Sequence, residues 1–244
     1  MNATLTFATA GRVLSQLRHD RRTIALMLLV PLVLLSLLAW VFDGTSTFDR
    51  VGPPLLGIFP FIVMFLVTSV ATLRERTSGT LERLLTMPIG RLDILLGYAL
   101  AFGLVAFVQA ALASGLAIFG LDMDVAGPVW LLVLVALVNS WLGTTLGLLV
   151  SAFAASEFQA VQFLPAVILP QFLLCGLLVP RDELPTALGA ISDFLPLSYA
   201  VDALNRVAAH DEFSGRLAAD MMTIIAFAGV ALIAGAATLR RRTE

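Results

Sequence analysis

At 244 residues, 59% hydrophobic and only 13% charged, with a mean hydropathy of +0.96, the chain is too apolar for a water-soluble domain, where about 25% of residues carry charge. At about 20 residues per crossing, the length accommodates six membrane spans and no large soluble domain. The formal net charge of −2 is uninformative until the charges are placed relative to a bilayer, and every basic residue is an arginine.

Residues 1–22 read as an amphipathic interface helix, with Phe7, Ala10, Leu14 and Leu17 on one face and Arg12, Ser15, Gln16 and Arg18 on the other. A basic topology anchor is the competing reading. Residues 24–42 form the first span; the run is longer than a signal-peptide core and no small-x-small cleavage site follows cleanly. After a polar turn at Asp43–Arg50, residues 51–73 form the second span, with Pro53, Pro54 and Pro60 in its first half. A charged segment at 74–91 leads to the third span, 92–121, and Asp122 and Asp124 mark the next turn. The fourth span is 128–150, followed by the small-residue connector Ser151–Glu157. The fifth is 158–179, bent by Pro165 and Pro170. Residues 180–220 hold two short helical faces, Leu184/Leu188/Ile191 and Leu197/Val201/Leu204, that meet at Pro196. Neither is long enough to span, so they read as a half-inserted or interfacial pair. Residues 221–239 form the sixth span, closed by Arg240, Arg241 and Arg242.

The segment 74–91, RERTSGTLERLLTMPIGR, has a helical pattern of its own. Leu81, Leu84 and Leu85 share a face, Thr80 is placed to cap the start, Glu82 suits the first turn and Pro88 stops the helix. With Arg74, Arg76, Arg83 and Arg91 around it, this is a helix built to dock onto something. Arginine placement orients the chain. If the N-terminus is inside, the arginines before span one, those of the 74–91 segment and the three at the C-terminus are all cytoplasmic. Only Arg50, Arg181, Arg206 and Arg216 lie outside, which fits the positive-inside rule.

Several chemistries are excluded. Without lysine there is neither a phosphate-binding GxxxxGK[ST] loop nor Schiff-base catalysis. The single Cys175 forms no intrachain disulfide, and one cysteine with the isolated His19 and His210 makes no structural zinc site. The span centres carry no charge, which argues against an ion-coupled transporter, and no base at membrane depth serves an intramembrane hydrolase. The polar residues inside the spans include Gln109, Asn139, Ser140, Thr144, Thr145 and Gln171. Helix-to-helix hydrogen bonding explains such residues in general. Lining of a translocation path is the alternative, with Gln171, next to Pro170, the best candidate and Asn139 and Gln109 behind it. Gly143 and Gly147 form a GxxxG, assigned to packing.

The stretch ERTSGTLERLLTMPIGRLDILLG, Glu75 to Gly97, resembles the segment between spans two and three of ABC-2 type permeases, the membrane subunits of ABC exporters. Glu75, Arg76, Gly79, Thr80, Leu81, Glu82, Leu84, Leu85, Pro88 and Arg91 fit the family pattern, and Leu178–Val207 looks like the family's segment before the last span. The resemblance implies an all-α membrane fold with six transmembrane helices and an N-terminal interface helix. It also implies a cytoplasmic coupling helix seated in a groove on a separate ABC ATPase, through Glu75, Arg76, Gly79, Thr80, Leu81, Glu82, Leu84, Leu85 and Pro88. ATP and Mg would belong to that partner, and this chain would be no enzyme. Two ATPase copies and a second permease chain, identical or different, would complete the transporter in the cytoplasmic membrane. The path would lie between the permease chains near spans two and five, closed outside by a re-entrant hairpin. Expected cargo is a hydrophobic or amphipathic molecule such as a drug, antibiotic or lipid. A glycan or lipid-linked glycan is the alternative cargo, and a non-transporting membrane anchor the alternative role. Nucleic acid is not expected as a partner.

Overall fold

A computed structural model describes residues 2–43, 45–210 and 213–238, apart from the side chains of Glu82 and Leu85. Among these residues there are helices and turns but no strands. In chain order they are α1 (Ala3–His19), α2 (Arg21–Val41), α3 (Thr47–Thr77), α4 (Thr80–Thr86), α5 (Arg91–Gly115), α6 (Val129–Ser151), α7 (Glu157–Leu174), α8 (Thr186–Ser192), α9 (Pro196–Ala209) and α10 (Gly215–Thr238). A π-helical turn at Leu116–Gly120 extends α5, and a 3₁₀ turn at Arg181–Glu183 precedes α8. Six of these helices, α2, α3, α5 with its π turn, α6, α7 and α10, are long and apolar enough to cross a membrane. α8 and α9 form a pair bent by 88°.

α3 is the central element, and its pairing with α6 is the most extensive in the fold. The closeness comes from Gly143 and Gly147, where an added Cβ would run into the backbone carbonyls of Phe61 and Phe65. The apolar interior divides along the helices. One cluster joins Phe48, Leu55, Ile58, Leu131, Leu197 and Leu204 towards the α9 end. The other joins Val13, Leu81, Ile94, Tyr98 and Phe102 towards the α1 end.

Several boundaries differ from the sequence reading, each for a local reason. Residues 47–50, expected in a polar turn, are the first turn of α3, because Phe48 is buried in the core and Asp49 accepts the Asp124 backbone N–H at 3.0 Å. Residues 74–77, expected in the connecting segment, continue α3, since their charges find partners described below. α7 stops at Leu174 rather than 179, where Gly176 takes the left-handed φ of 92° and the Ser192 hydroxyl donates to the Leu174 carbonyl at 2.8 Å. α10 begins at Gly215 rather than 221, with Arg206 pairing Asp220 at 3.1 Å to keep its first turns helical. Residues 239–242, including Arg240, Arg241 and Arg242, lie outside the described residues.

The N-terminal helix also faces differently. Thr6, Thr9, Ala10, Val13 and Leu17 are its buried side, whereas Phe7, expected on the apolar face, is 66% exposed. α1 packs mainly on α5, and Gly97 leaves just enough room for Thr9 to touch the α5 backbone. Small threonines fit that contact and a phenylalanine does not, so size rather than hydropathy sets the rotation of the helix.

Candidate functional site

The junction where α3 hands over to α4 and α5 concentrates the charged contacts of one end of the bundle. Arg12 of α1 meets Glu75 of α3 through two parallel bonds, Nη1 to Oε1 at 3.1 Å and Nη2 to Oε2 at 3.0 Å. Arg12 Nη2 also donates to the Tyr98 hydroxyl of α5 at 2.9 Å, and that hydroxyl donates to Glu75 Oε2. The guanidinium lies 5.6 Å from the Tyr98 ring centre. Burial is the largest single influence and would lower the Arg12 pKa, but the hydrogen bonds and charges of Glu75 and Tyr98 together outweigh it and the net shift is upward. One arginine thus ties together three helices whose residues are far apart in sequence.

Two neighbours extend the junction. Arg74 grips Glu157 at the start of α7 (Nε to Oε1 2.8 Å, Nη2 to Oε2 3.0 Å), and Arg76 donates to the Ser151 carbonyl at the end of α6 at 2.6 Å. Asp93, in the first turn of α5, is buried and accepts both the Asn2 backbone N–H (3.0 Å) and the Thr6 hydroxyl (3.4 Å), which fixes the start of α1.

Within this frame α4 is a seven-residue helix. Its N-cap is Gly79, not Thr80: the backbone there has φ 74°, and the Thr80 hydroxyl instead lies 3.0 Å from that of Ser78. The helix ends at Thr86, just before Pro88. Leu81 is 3% exposed and sits in the same apolar cluster as Val13 and Ile94, with Leu84 half-buried against it. So short a helix is marginal by itself, and Leu81 and Leu84 anchor it to the rest of the chain. Among the described side chains here, Arg83, Thr86, Met87 and Pro88 are exposed.

Among the polar residues of the spans, Gln109, Asn139 and Gln171 bond to other backbone groups of the chain, and Ser140, Thr144 and Thr145 to their own helix. The buried hydroxyls of Thr68, Thr72 and Ser114 make no hydrogen bond among the described residues. Asn139 Nδ2 donates to the Gly57 carbonyl at 3.0 Å, and Gln109 Nε2 to the Met27 carbonyl at 2.5 Å. Gln171 donates to the Val167 carbonyl (3.0 Å) while its Oε1 accepts the Leu197 backbone N–H (3.3 Å), capping the start of α9. All three side chains are buried; Pro170 is exposed. At the α9 end, Arg181 pairs with Asp202 and, at 2.5 Å, with Asp193, 5.4 Å from the Tyr199 ring. Among the described residues no cluster of His, Cys, Asp or Glu could hold a metal ion.

Sequence reasoning missed the Arg12–Glu75–Tyr98 cluster and the role of Asp93. Partners so distant along the chain leave no periodic signal. The available hint was compositional: Glu75, Asp93 and Tyr98 are polar groups adjoining apolar runs, where each needs a partner.

Six apolar helices built around a buried GxxxG contact define a multi-pass helical membrane protein. The profile of the ABC-2 type transporter family matches residues 4–207, and the chain belongs to that family. It is 27% identical over 157 residues to the probable multidrug ABC transporter permease YbhR of Escherichia coli (strain K12), covering 64% of this chain and 43% of the relative. It is 29% identical over 141 residues to the inner membrane transport permease YhhJ of the same organism (57% and 38%). It is 26% identical over 159 residues to ABC transporter G family member 20 of Dictyostelium discoideum (65% and 22%). The matched part is therefore less than half of each of these relatives.

Proposed function

We propose that the chain is the membrane subunit of an ATP-driven exporter in the cytoplasmic membrane, with both termini cytoplasmic. It works as one of two permease chains, together with two copies of a separate ABC ATPase that hold ATP and Mg. The observation that carries this reading is α4, a short helix anchored by Leu81, joined through Gly79 to the central helix α3, and exposing Arg83, Thr86 and Met87. Force applied to α4 reaches α3 directly, and reaches α1 and α5 through Glu75, Arg12 and Tyr98. The cargo is a hydrophobic or amphipathic molecule, in keeping with the uncharged span centres and with the relative YbhR being a probable multidrug permease. The bent pair α8–α9 closes the outer end of the path. Of the candidate path residues, exposed Pro170 on α7 faces the second permease chain, whereas Gln171, Asn139 and Gln109 mainly hold helices together.

The docking face is tested by co-purification with the ATPase from membranes. Changing Arg83→Glu together with Met87→Asp is expected to abolish co-purification while the chain stays inserted. Leu81→Asp should instead unseat α4 and lower the thermal stability of the permease itself. Undiminished ATPase recovery with the R83E/M87D pair overturns the assignment.

A further inference from the structure

The loop 121–127, which joins α5 to α6, is fastened to two other helices. It leaves α5 through the π turn and then Asp122, the one non-glycine among the described residues with a left-handed φ, 50°. The Met123 backbone N–H reaches back to the Ala117 carbonyl at 3.0 Å, and the Met123 side chain is buried in the same core as Phe48 and Leu204. Asp49, in the first turn of α3, accepts the Asp124 N–H at 3.0 Å. One end of the loop is therefore set into the bundle.

The other end meets α9. The Ala126 N–H donates to the Ala208 carbonyl at 2.9 Å, and the Gly127 N–H to the Val207 carbonyl at 3.0 Å. Both acceptors belong to the last turn of α9, whose final carbonyls have no partner within the helix. The loop thus supplies the cap that the sequence of α9 does not. The fit is specific to glycine: a Cβ at position 127 would stand 2.2 Å from the Val207 oxygen and 2.7 Å from that of His210.

The two attachments differ in how easily they come apart. Freeing Met123 would take a buried side chain out of the core, whereas the grip on α9 is made by backbone bonds at the surface. Asp124, Ala126, Ala208 and Ala209 line a cavity of about 860 Å³ whose walls also carry Arg181 and Asp202. Asp124, Ala126 and Ala209 are exposed, so water reaches this side of the loop. Backbone groups released there exchange a protein partner for water, at a small net cost. The Arg206–Asp220 pair joins the same stretch of α9 to α10 without crossing to the loop, so it survives such a release.

From this asymmetry we infer that the loop 121–127 is a strap, fixed to α5 and α3 at one end and releasable from α9 at the other. Fastened, it holds the C-terminal end of α9 against the spans; release of the Ala126 and Gly127 bonds together lets α8–α9 move away. The holding part of the inference needs only the fold. The release part rests on the proposed role of α8–α9 as the outer closure of the path, so the two are tested separately.

Hydrogen exchange on the full chain in nanodiscs, read by mass spectrometry, tests the strap with no ATPase present. The amides of residues 124–127 should exchange many-fold more slowly than those of an unbonded loop. Gly127→Ala should speed exchange several-fold in 124–127 and in 203–209 together, leaving α6 unchanged. Asp49→Ala loosens the loop without introducing a clash and should give a smaller rise in the same two segments. Asp49→Asn keeps an acceptor oxygen for Asp124 and should give less still. A rise confined to 124–127 in both G127A and D49A, or no protection of 124–127 in the unaltered chain, overturns the strap. Release is read in the complex with the ATPase, trapped with ATP and vanadate: protection of 124–127 should fall several-fold while that of 117–123 holds. Undiminished protection of 124–127 in the trapped complex overturns the release step. Failure of any ATPase to co-purify overturns the exporter reading instead, and the result on the chain alone still decides the strap.

Discussion

The two ends of the bundle are both held by arginine–carboxylate contacts, but the contacts have opposite reach. At the α1 end they join residues far apart in sequence, Arg12 to Glu75 and Arg74 to Glu157, and the Asn2 backbone N–H adds a long-range bond to Asp93. At the α9 end they stay within one neighbourhood, Arg181 to Asp193 and Asp202, and Arg206 to Asp220. Long-range pairs weld α1, α3, α5 and α7 into one unit around the base of α4. Arg181 stiffens α8–α9 as a module, which is attached to the spans by apolar packing, the Gln171 cap on Leu197, the Ser192 bond to the Leu174 carbonyl and the Arg206–Asp220 pair to α10. Under the proposed coupling through α4, a body rigid at that end and modular at the other would move the α8–α9 pair as a piece.

Cutting the long-range weld is the strongest way to break this contrast. Glu75→Ala leaves the Arg12 guanidinium, whose side chain is only 27% exposed, without its carboxylate. The cost is on the order of 2–3 kcal/mol. The thermal midpoint of the purified chain in detergent should fall, and hydrogen exchange should rise together in α1, the end of α3 and the start of α5. Glu75→Gln keeps one acceptor oxygen for Arg12 and should lose less. Exchange that rises in α1 alone would show the three helices are not one unit.

Arg181→Ala is the corresponding cut at the other end. It strips a partner from Asp202 and from the largely exposed Asp193. The expected cost is about 1–2 kcal/mol, with faster exchange confined to residues 176–209. Exchange that also rises in α3 or α6 would remove the distinction between the two ends.

This contrast was only half visible in the sequence. The six spans, the α8–α9 pair and the GxxxG contact follow from hydropathy, proline and glycine, which are local signals. The short helix after Gly79 was equally visible, but the direction of its leucines was not. Periodicity shows that Leu81 and Leu84 share a face, yet not whether that face meets a partner or the chain's own core. The rotation of α1 was hidden for a related reason: Thr6 and Thr9 count as polar in any pattern, while at Gly97 what matters is that they are small. Pairing of Arg12 with Glu75 had no sequence signature at all, because each residue by itself reads as a charge at a membrane boundary.

The smallest expected effect sharpens the boundary of the welded end, at the turn between α1 and α2. Asp20 caps α2, its carboxylate accepting the Thr23 hydroxyl at 2.6 Å and the Thr23 backbone N–H at 3.1 Å. The hydroxyl bond, then the backbone bond, hold the Asp20 pKa below its ordinary value, with Arg74 adding a smaller push in the same direction. Because the folded value is the lower one, the stabilisation is fully present above the ordinary carboxylate range and is lost as pH falls through the folded value. Asp20→Ala should therefore lower the thermal midpoint slightly at neutral pH, and the gap to the unaltered chain should close on acidification. The Arg12–Glu75 weld does not include Asp20, so combining D20A with E75A should give simple addition of the two losses. A loss that exceeds the sum would extend the welded unit into the α1–α2 turn and make α2 part of the body that moves with α4.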